Sequence, residues 1–166
     1  MDYQEGKQRF IEVWGKMASC WGIPPAMARV HALLLISPEP LTAEEIKQQL
    51  DISVGSANIN LRKLLSWGLI SKKSVPGKRG DCFEAEKDIW TMIQKIIAYR
   101  KKKELEPVIA ELEAFSQIQG DSAEAKCFHH VVSEMCKFSH RADKFLTFLI
   151  TEEHLQVLHL LSRVVG

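Results

Sequence analysis

Two closely spaced helix starts, followed by a glycine stop and a basic turn, constrain this chain more than any other feature. Thr42-Ala43-Glu44-Glu45 has the spacing of a capping box, in which the Thr42 hydroxyl accepts an early backbone N–H while Glu45 reaches back to the cap. The helix it opens is expected to run to about Leu50, with Ile46 and Leu50 four apart on one face. Asp51-Ile52 leaves room only for a tight turn. Ser53 is a favoured cap for the next helix, expected to run to Trp67 and stop at Gly68. Two short helices joined by a few residues form a helix-turn-helix. Residues 69–74 then read as a strand, Pro76-Gly77-Lys78-Arg79-Gly80 as a turn, and residues 82–85 as the returning strand. Helix, helix and basic-tipped hairpin is the order of a winged helix, and Leu41 suits a short additional strand.

The flanking segments are helical. Residues 4–21 repeat Phe10, Val13, Trp14 and Met17 at three- and four-residue spacing, and Gly22 with Pro24-Pro25 ends that helix. Residues 26–35 are so apolar that a buried helix is expected. A break at Ser37-Pro38-Glu39-Pro40 follows. Residues 88–103 place Ile89, Met92, Ile93, Ile96 and Ile97 on one side, Pro107 marks a kink or a new start, and helix continues to about Ile118. After the loop Gln119-Gly120-Asp121, Cys127, Val131, Met135, Phe138, Ala142, Phe145 and Leu149 form a near-heptad seam. Thr151 is a cap for a last helix carrying Leu155, Leu158 and Leu161. The spacing suits packing on a partner subunit or within the chain's own bundle equally well. The expected fold is mainly α: a winged helix-turn-helix with a two-stranded wing hairpin and additional N- and C-terminal dimerisation helices. Residues 1–103 are expected to form the DNA-binding domain with its N-terminal helix, and residues 104–166 a C-terminal helical dimerisation bundle.

Composition supports a globular, intracellular protein. The chain is 46% hydrophobic and 26% charged, enough for a core and unlike a disordered chain. No run approaches a membrane span, and the first ten residues carry charge without an apolar stretch, so no leader is expected. Four scattered cysteines, with no CxxC pair, fit a reduced cytoplasmic protein. The net charge of +1 conceals an asymmetry: residues 60–103 hold twelve basic and four acidic residues, and none between Leu61 and Gly80 is acidic. A basic stripe of this kind suits a polyanion, because binding releases counterions. The competing reading is a solvated basic face.

The helix from Val54 to Trp67 carries the functional expectation. At 100° per residue, Val54, Ala57, Leu61, Leu64 and Leu65 cluster on a core face. The opposite side holds Gly55, Ser56, Ile59, Arg62, Lys63 and Ser66, with Asn60 at its edge. Small residues there let the backbone approach DNA. Ser56 and Asn60 can bond base edges or phosphate, and Arg62 and Lys63 can reach phosphate or guanine. Ile59 suits either a thymine methyl or a neighbouring helix. With Ser53 as cap, and Lys78 and Arg79 anchoring the wing on phosphates or in a narrow minor groove, the expected DNA-binding set is Ser53, Gly55, Ser56, Ile59, Asn60, Arg62, Lys63, Lys78 and Arg79.

The runs Ile52-Ser53-Val54-Gly55-Ser56, Asn60-Leu61-Arg62-Lys63-Leu64, Trp67-Gly68-Leu69-Ile70 and Pro76-Gly77-Lys78-Arg79 resemble the GbsR branch of the MarR-like transcription regulators. So do Ala85-Glu86-Lys87-Asp88-Ile89-Trp90, Ala28-Arg29-Val30 and Leu33-Leu34-Leu35, and the resemblance spans residues 8–112. It implies a homodimeric winged-helix regulator of duplex DNA, a repressor reading a pseudo-palindromic operator with its recognition helices in the major groove. Relatives control genes for uptake or synthesis of glycine betaine from choline. They often carry a basic residue where this chain has Val54, and an aromatic one where it has Cys82.

Other chemistries are weaker expectations. A choline-like effector would need an aromatic box, for which Trp14, Trp21, Trp90 and Tyr99 are the candidates. Their helical spacing equally fits core or interface packing. Cys136 and His140, and His130 and Glu134, are four apart, with Cys127, His129 and His154 nearby in sequence. A zinc site needs three or four convergent ligands, and no metal is expected. Cys82 suits redox sensing only if it is exposed. No nucleophile elbow, phosphate-cradling loop or HExxH motif occurs, so neither catalysis nor a cofactor is expected. The alternative from another class is a winged-helix module that binds protein or RNA without an operator.

Overall fold

The computed structural model describes residues 1–20 and 22–151. The chain forms two compact units, Met1–Met92 and Ile93–Gly166; on sequence grounds the boundary was placed after Lys103.

In the first unit, α1 (Tyr3–Cys20) packs on α2 (Pro25–Ile36). Pro25 starts α2, where a missing N–H costs nothing. The expected burial of α2 is met almost all round, with Met27, Ala28, Val30, His31, Ala32, Leu33 and Leu34 all inside. β1 (Leu41–Thr42) leads directly into α3 (Ala43–Leu50). The capping box forms: the Thr42 hydroxyl accepts from Glu45 N at 3.2 Å, and Glu45 Oε2 accepts from Thr42 N at 2.7 Å. Asp51 ends α3 in the left-handed region at φ 52°, a conformation Asp tolerates better than most side chains. Then α4 (Val54–Ser66) packs on both α2 and α3.

β2 (Ile70–Lys73) and β3 (Cys82–Ala85) form the hairpin, and β1 joins it as a third strand, giving the antiparallel order β1-β3-β2. The registers are Leu41 opposite Phe83 and Ile70 opposite Ala85. β3 is therefore the middle strand, and Cys82, Phe83 and Ala85 are buried on it. The wing is thus anchored in a three-stranded sheet, the two strands of the expected hairpin joined by the short strand expected at Leu41. Pro76-Gly77 turns the connection: Lys78 N donates to Val75 O at 3.1 Å and Gly77 has φ +83°, which is a type II turn.

The rest of the described chain is helical. α5 (Ile89–Arg100) runs into a π-helical turn, Lys101–Leu105, and then α6 (Glu106–Phe115). In that turn Glu106 N donates five residues back to Lys101 O. The wider turn precedes Pro107, which has no N–H and whose ring crowds the preceding turn of a regular α-helix. α6 thus starts at Glu106 with Pro107 in its first turn, the new start expected from the sequence, and the π turn just upstream absorbs the adjustment. The π turn is tied to α7 (Ala123–Ile150), because Lys101 Nζ lies 2.9 Å from both Asp143 Oδ1 and Glu106 Oε1. Asp143 first, then Glu106, holds that ammonium above its ordinary pKa. Ser122 caps α7 through Ala125 N at 3.1 Å.

α6 packs on α7, burying Ile109, Leu112 and Val132. The inward positions of α7 include Val132 and Ser139, one residue out of step with the near-heptad seam. Along that seam Val131, Met135, Phe138 and Phe145 are exposed, Phe138 by 73%. The expected last helix after Thr151 lies outside the described residues. Among the described residues, no helix is long and apolar enough to cross a membrane.

Candidate nucleic-acid interface

The outward face of α4 is set by its cap and its core stripe. The Ser53 hydroxyl accepts from Ser56 N at 3.1 Å, removing one of the orphan donors of the first turn. Ala57, Leu61 and Leu64 are buried and Leu65 is half-buried. That leaves Ser53, Gly55, Asn58, Ile59, Arg62, Lys63 and Ser66 exposed, and Ser56 half-buried. Ile59 is 51% exposed, so of its two readings packing on a neighbouring helix within the chain does not hold.

Two residues depart from the helical-wheel assignment. Val54, assigned to the core face, is 45% exposed, whereas Asn60, assigned to the edge of the outward face, is only 5% exposed. The Asn60 amide donates to Ser56 O at 2.9 Å. The reason is that α4 is clasped by both α2 and α3, which widens and rotates its buried arc. Asn60 therefore lies beneath the exposed face of α4.

The wing also differs from expectation. Lys78 does not project. Its Nζ donates to Pro40 O at 2.9 Å, Glu45 Oε1 at 2.7 Å and Glu45 Oε2 at 2.9 Å. Lys78 first, then the Thr42 N–H, holds the Glu45 carboxyl below its usual pKa. Arg79 is exposed next to it. Across the hairpin Lys72 Nζ meets Asp81 Oδ2 at 2.5 Å, and Lys73 Nζ lies 3.4 Å from Glu84 Oε2. The acid-free run from Leu61 to Gly80 is thus partly neutralised by carboxylates that folding brings in from outside it. Among the described residues, Arg62, Lys63 and Arg79 have no carboxylate partner.

Between α4 and the sheet lies a cleft of about 390 Å³, lined by Asn58, Arg62, Lys72, Asp81 and Phe83 among others. Arg62 Nε donates to Asn58 O at 3.3 Å within it. Asn58, Lys72 and Asp81 escaped the sequence-based selection. Asn58 was legible, since it stands one turn before Arg62 on the same face; the Lys72–Asp81 pair depends on the hairpin register.

The aromatic candidates divide between the units. Trp14 is half-buried, stacked on Phe10 at 5.8 Å between ring centroids and tilted against His31 at 6.1 Å. Trp90 is half-buried in the first unit, Tyr99 is half-buried in the second, and Trp21 lies outside the described residues. Cys82 is fully buried, so it lacks the exposure that redox sensing requires. His140 pairs with Glu113 at 3.0 Å, and among the described residues no three metal-ligating side chains cluster.

No family model and no curated protein matches the chain. Among solved structures, the crystal structure of a transcriptional regulator matches with a TM-score of 0.67 at 18% identity, covering 87% of this chain and 95% of that one. The chain thus shares the fold of that regulator, mainly helical with a small antiparallel sheet and consistent with a winged helix.

Proposed function

We propose that this chain is a cytoplasmic, non-enzymatic transcription regulator of the GbsR-like MarR type. It binds a pseudo-palindromic operator in duplex DNA as a homodimer, represses by occupying it, and answers to a small effector. The observation that carries the reading is the placement of unpaired cations: Arg62 and Lys63 on the exposed face of α4, and Arg79 on the adjacent hairpin. A helix and a wing whose guanidinium groups have no carboxylate partner among the described residues match the two contacts a winged helix makes, one in the major groove and one on the flanking backbone. The exposed seam of α7 supports a second copy as partner, since Val131, Met135, Phe138 and Phe145 leave large apolar side chains uncovered along one helix. The sequence resemblance and the shared fold support the same class.

The test is a titration of fluorescent duplex DNA, selected from a random-sequence pool, at two salt concentrations. Arg62→Ala/Arg79→Ala is expected to fold normally and lose about tenfold or more in affinity, with a shallower salt dependence. Absence of wild-type binding at low salt would overturn the reading in favour of a protein-interaction module, and undiminished binding by the double variant would overturn the placement of the site.

A further inference from the structure

We propose that Lys78 and Glu45 form a latch that fixes the wing against the helix-turn-helix, so that Lys78 positions Arg79 and does not itself contact DNA. The inference rests on the DNA-binding reading above. An ammonium group has three N–H donors, and Lys78 directs them at three acceptors: Pro40 O at 2.9 Å and the two Glu45 oxygens at 2.7 and 2.9 Å. To reach a phosphate it would have to abandon them.

The acceptor side is rigid before Lys78 arrives. Glu45 Oε2 already receives the Thr42 N–H at 2.7 Å and the Thr42 hydroxyl at 3.1 Å, so the capping box orients the carboxylate. Pro40 lies immediately before β1, which is paired to β3. The donor side is also rigid. Lys78 is the last residue of the type II turn, held through its own N–H to Val75 O at 3.1 Å. The ammonium therefore fixes the turn as a unit to the start of α3, and Arg79 is the next residue along. Both partners are half-buried, with side chains 27% and 37% exposed, which sets this pair apart from the more exposed hairpin pair Lys72–Asp81. A wing fixed in advance loses less conformational freedom on binding than a free one.

Electrostatics alone makes the opposite forecast. Removing Glu45 deletes a negative charge near a polyanion site and frees an ammonium, so binding should tighten. Glu45→Gln makes the distinction, because Gln also serves at this position of a capping box. We expect Glu45→Gln to weaken DNA binding by roughly threefold or more. In that background Arg79→Ala should cost less than in the wild type, and amide hydrogen exchange at Lys78 should accelerate. Lys78→Met, which leaves Glu45 and its cap intact, should weaken binding similarly without changing the salt slope.

Tighter or unchanged binding by Glu45→Gln, or unchanged exchange at Lys78, would overturn the latch while leaving the DNA-binding reading standing. So would a salt slope reduced by about one in Lys78→Met, the mark of a lost phosphate contact. Failure of the wild type itself to bind DNA would overturn the DNA-binding reading and the latch with it.

Discussion

The Asn60 side-chain amide donates to the Ser56 carbonyl at 2.9 Å, one turn back along α4, from a site only 5% exposed. Asn60 thus stabilises α4 from beneath its exposed face. Asn60→Ala is expected to cost about 1 kcal/mol of stability, the net worth of one internal hydrogen bond, and to change DNA affinity by less than about twofold. Urea unfolding and a DNA titration check the two halves. A tenfold affinity loss in a fully folded variant would return Asn60 to the reading face.

Asp81 occupies Lys72 at 2.5 Å in the cleft beside Arg62. Both side chains are more than half exposed, so the pair adds little to stability. Asp81→Asn should leave the melting temperature within a degree or two while strengthening DNA binding and steepening its salt slope by about one. In a Lys72→Gln background the same substitution should leave the slope unchanged. A slope that rises equally in both backgrounds would mean that Lys72 takes no part.

His31 is buried beneath Trp14 with its Nε2 unpartnered, and desolvation lowers its pKa from 6.5 to about 4. Between those values the unfolded chain binds a proton that the folded chain does not, so stability falls as pH drops through that window. From pH 6.5 to 5 this group alone should cost about 1.5 kcal/mol. That window lies above the titration of Glu45, whose depressed pKa contributes stability lost only at more acid pH. Urea unfolding of the wild type and His31→Phe over pH 5–7 checks this. The variant should lose that slope, and an equal slope in both would remove His31 from the account.

Phe138 is 73% exposed on the seam of α7, with Met135 at 50% and Phe145 at 60%. If a second copy covers this face, Phe138→Glu places a charge in an apolar interface. Sedimentation velocity should then show a shift from dimer to monomer, and operator affinity should fall by about tenfold or more as the two half-sites uncouple. A variant still dimeric at micromolar concentration would place the interface elsewhere.

How far the sequence could be read depends on distance along the chain. Thr42 with Glu45, and Ser53 with Ser56, bond across three residues, and such caps are visible as spacing. The hairpin turn at Pro76-Gly77 was legible for the same reason. Lys78 finds Glu45 across 33 residues, and Lys72 finds Asp81 only once β2 and β3 take their register. An acid-free stretch of sequence therefore overstates the free positive charge on the folded surface. Asn60 was misassigned because a helical wheel assumes one neighbouring body, whereas α4 packs on α2, α3 and β2, and Val54 because it is the first residue of α4, at the open end of the core face. The π turn before Pro107 was hidden because proline signals a backbone conflict without saying which residues absorb it.

The placement of Cys82 makes its thiol a natural clock. It sits fully buried on the middle strand, with β1 on one side and β2 on the other, while Cys20 and Cys127 are exposed. A thiol reagent should therefore modify the exposed pair promptly and reach Cys82 only when the three strands part. The slowest phase of labelling, behind that of the half-buried Cys136, then measures how often the wing detaches from the body that carries α4.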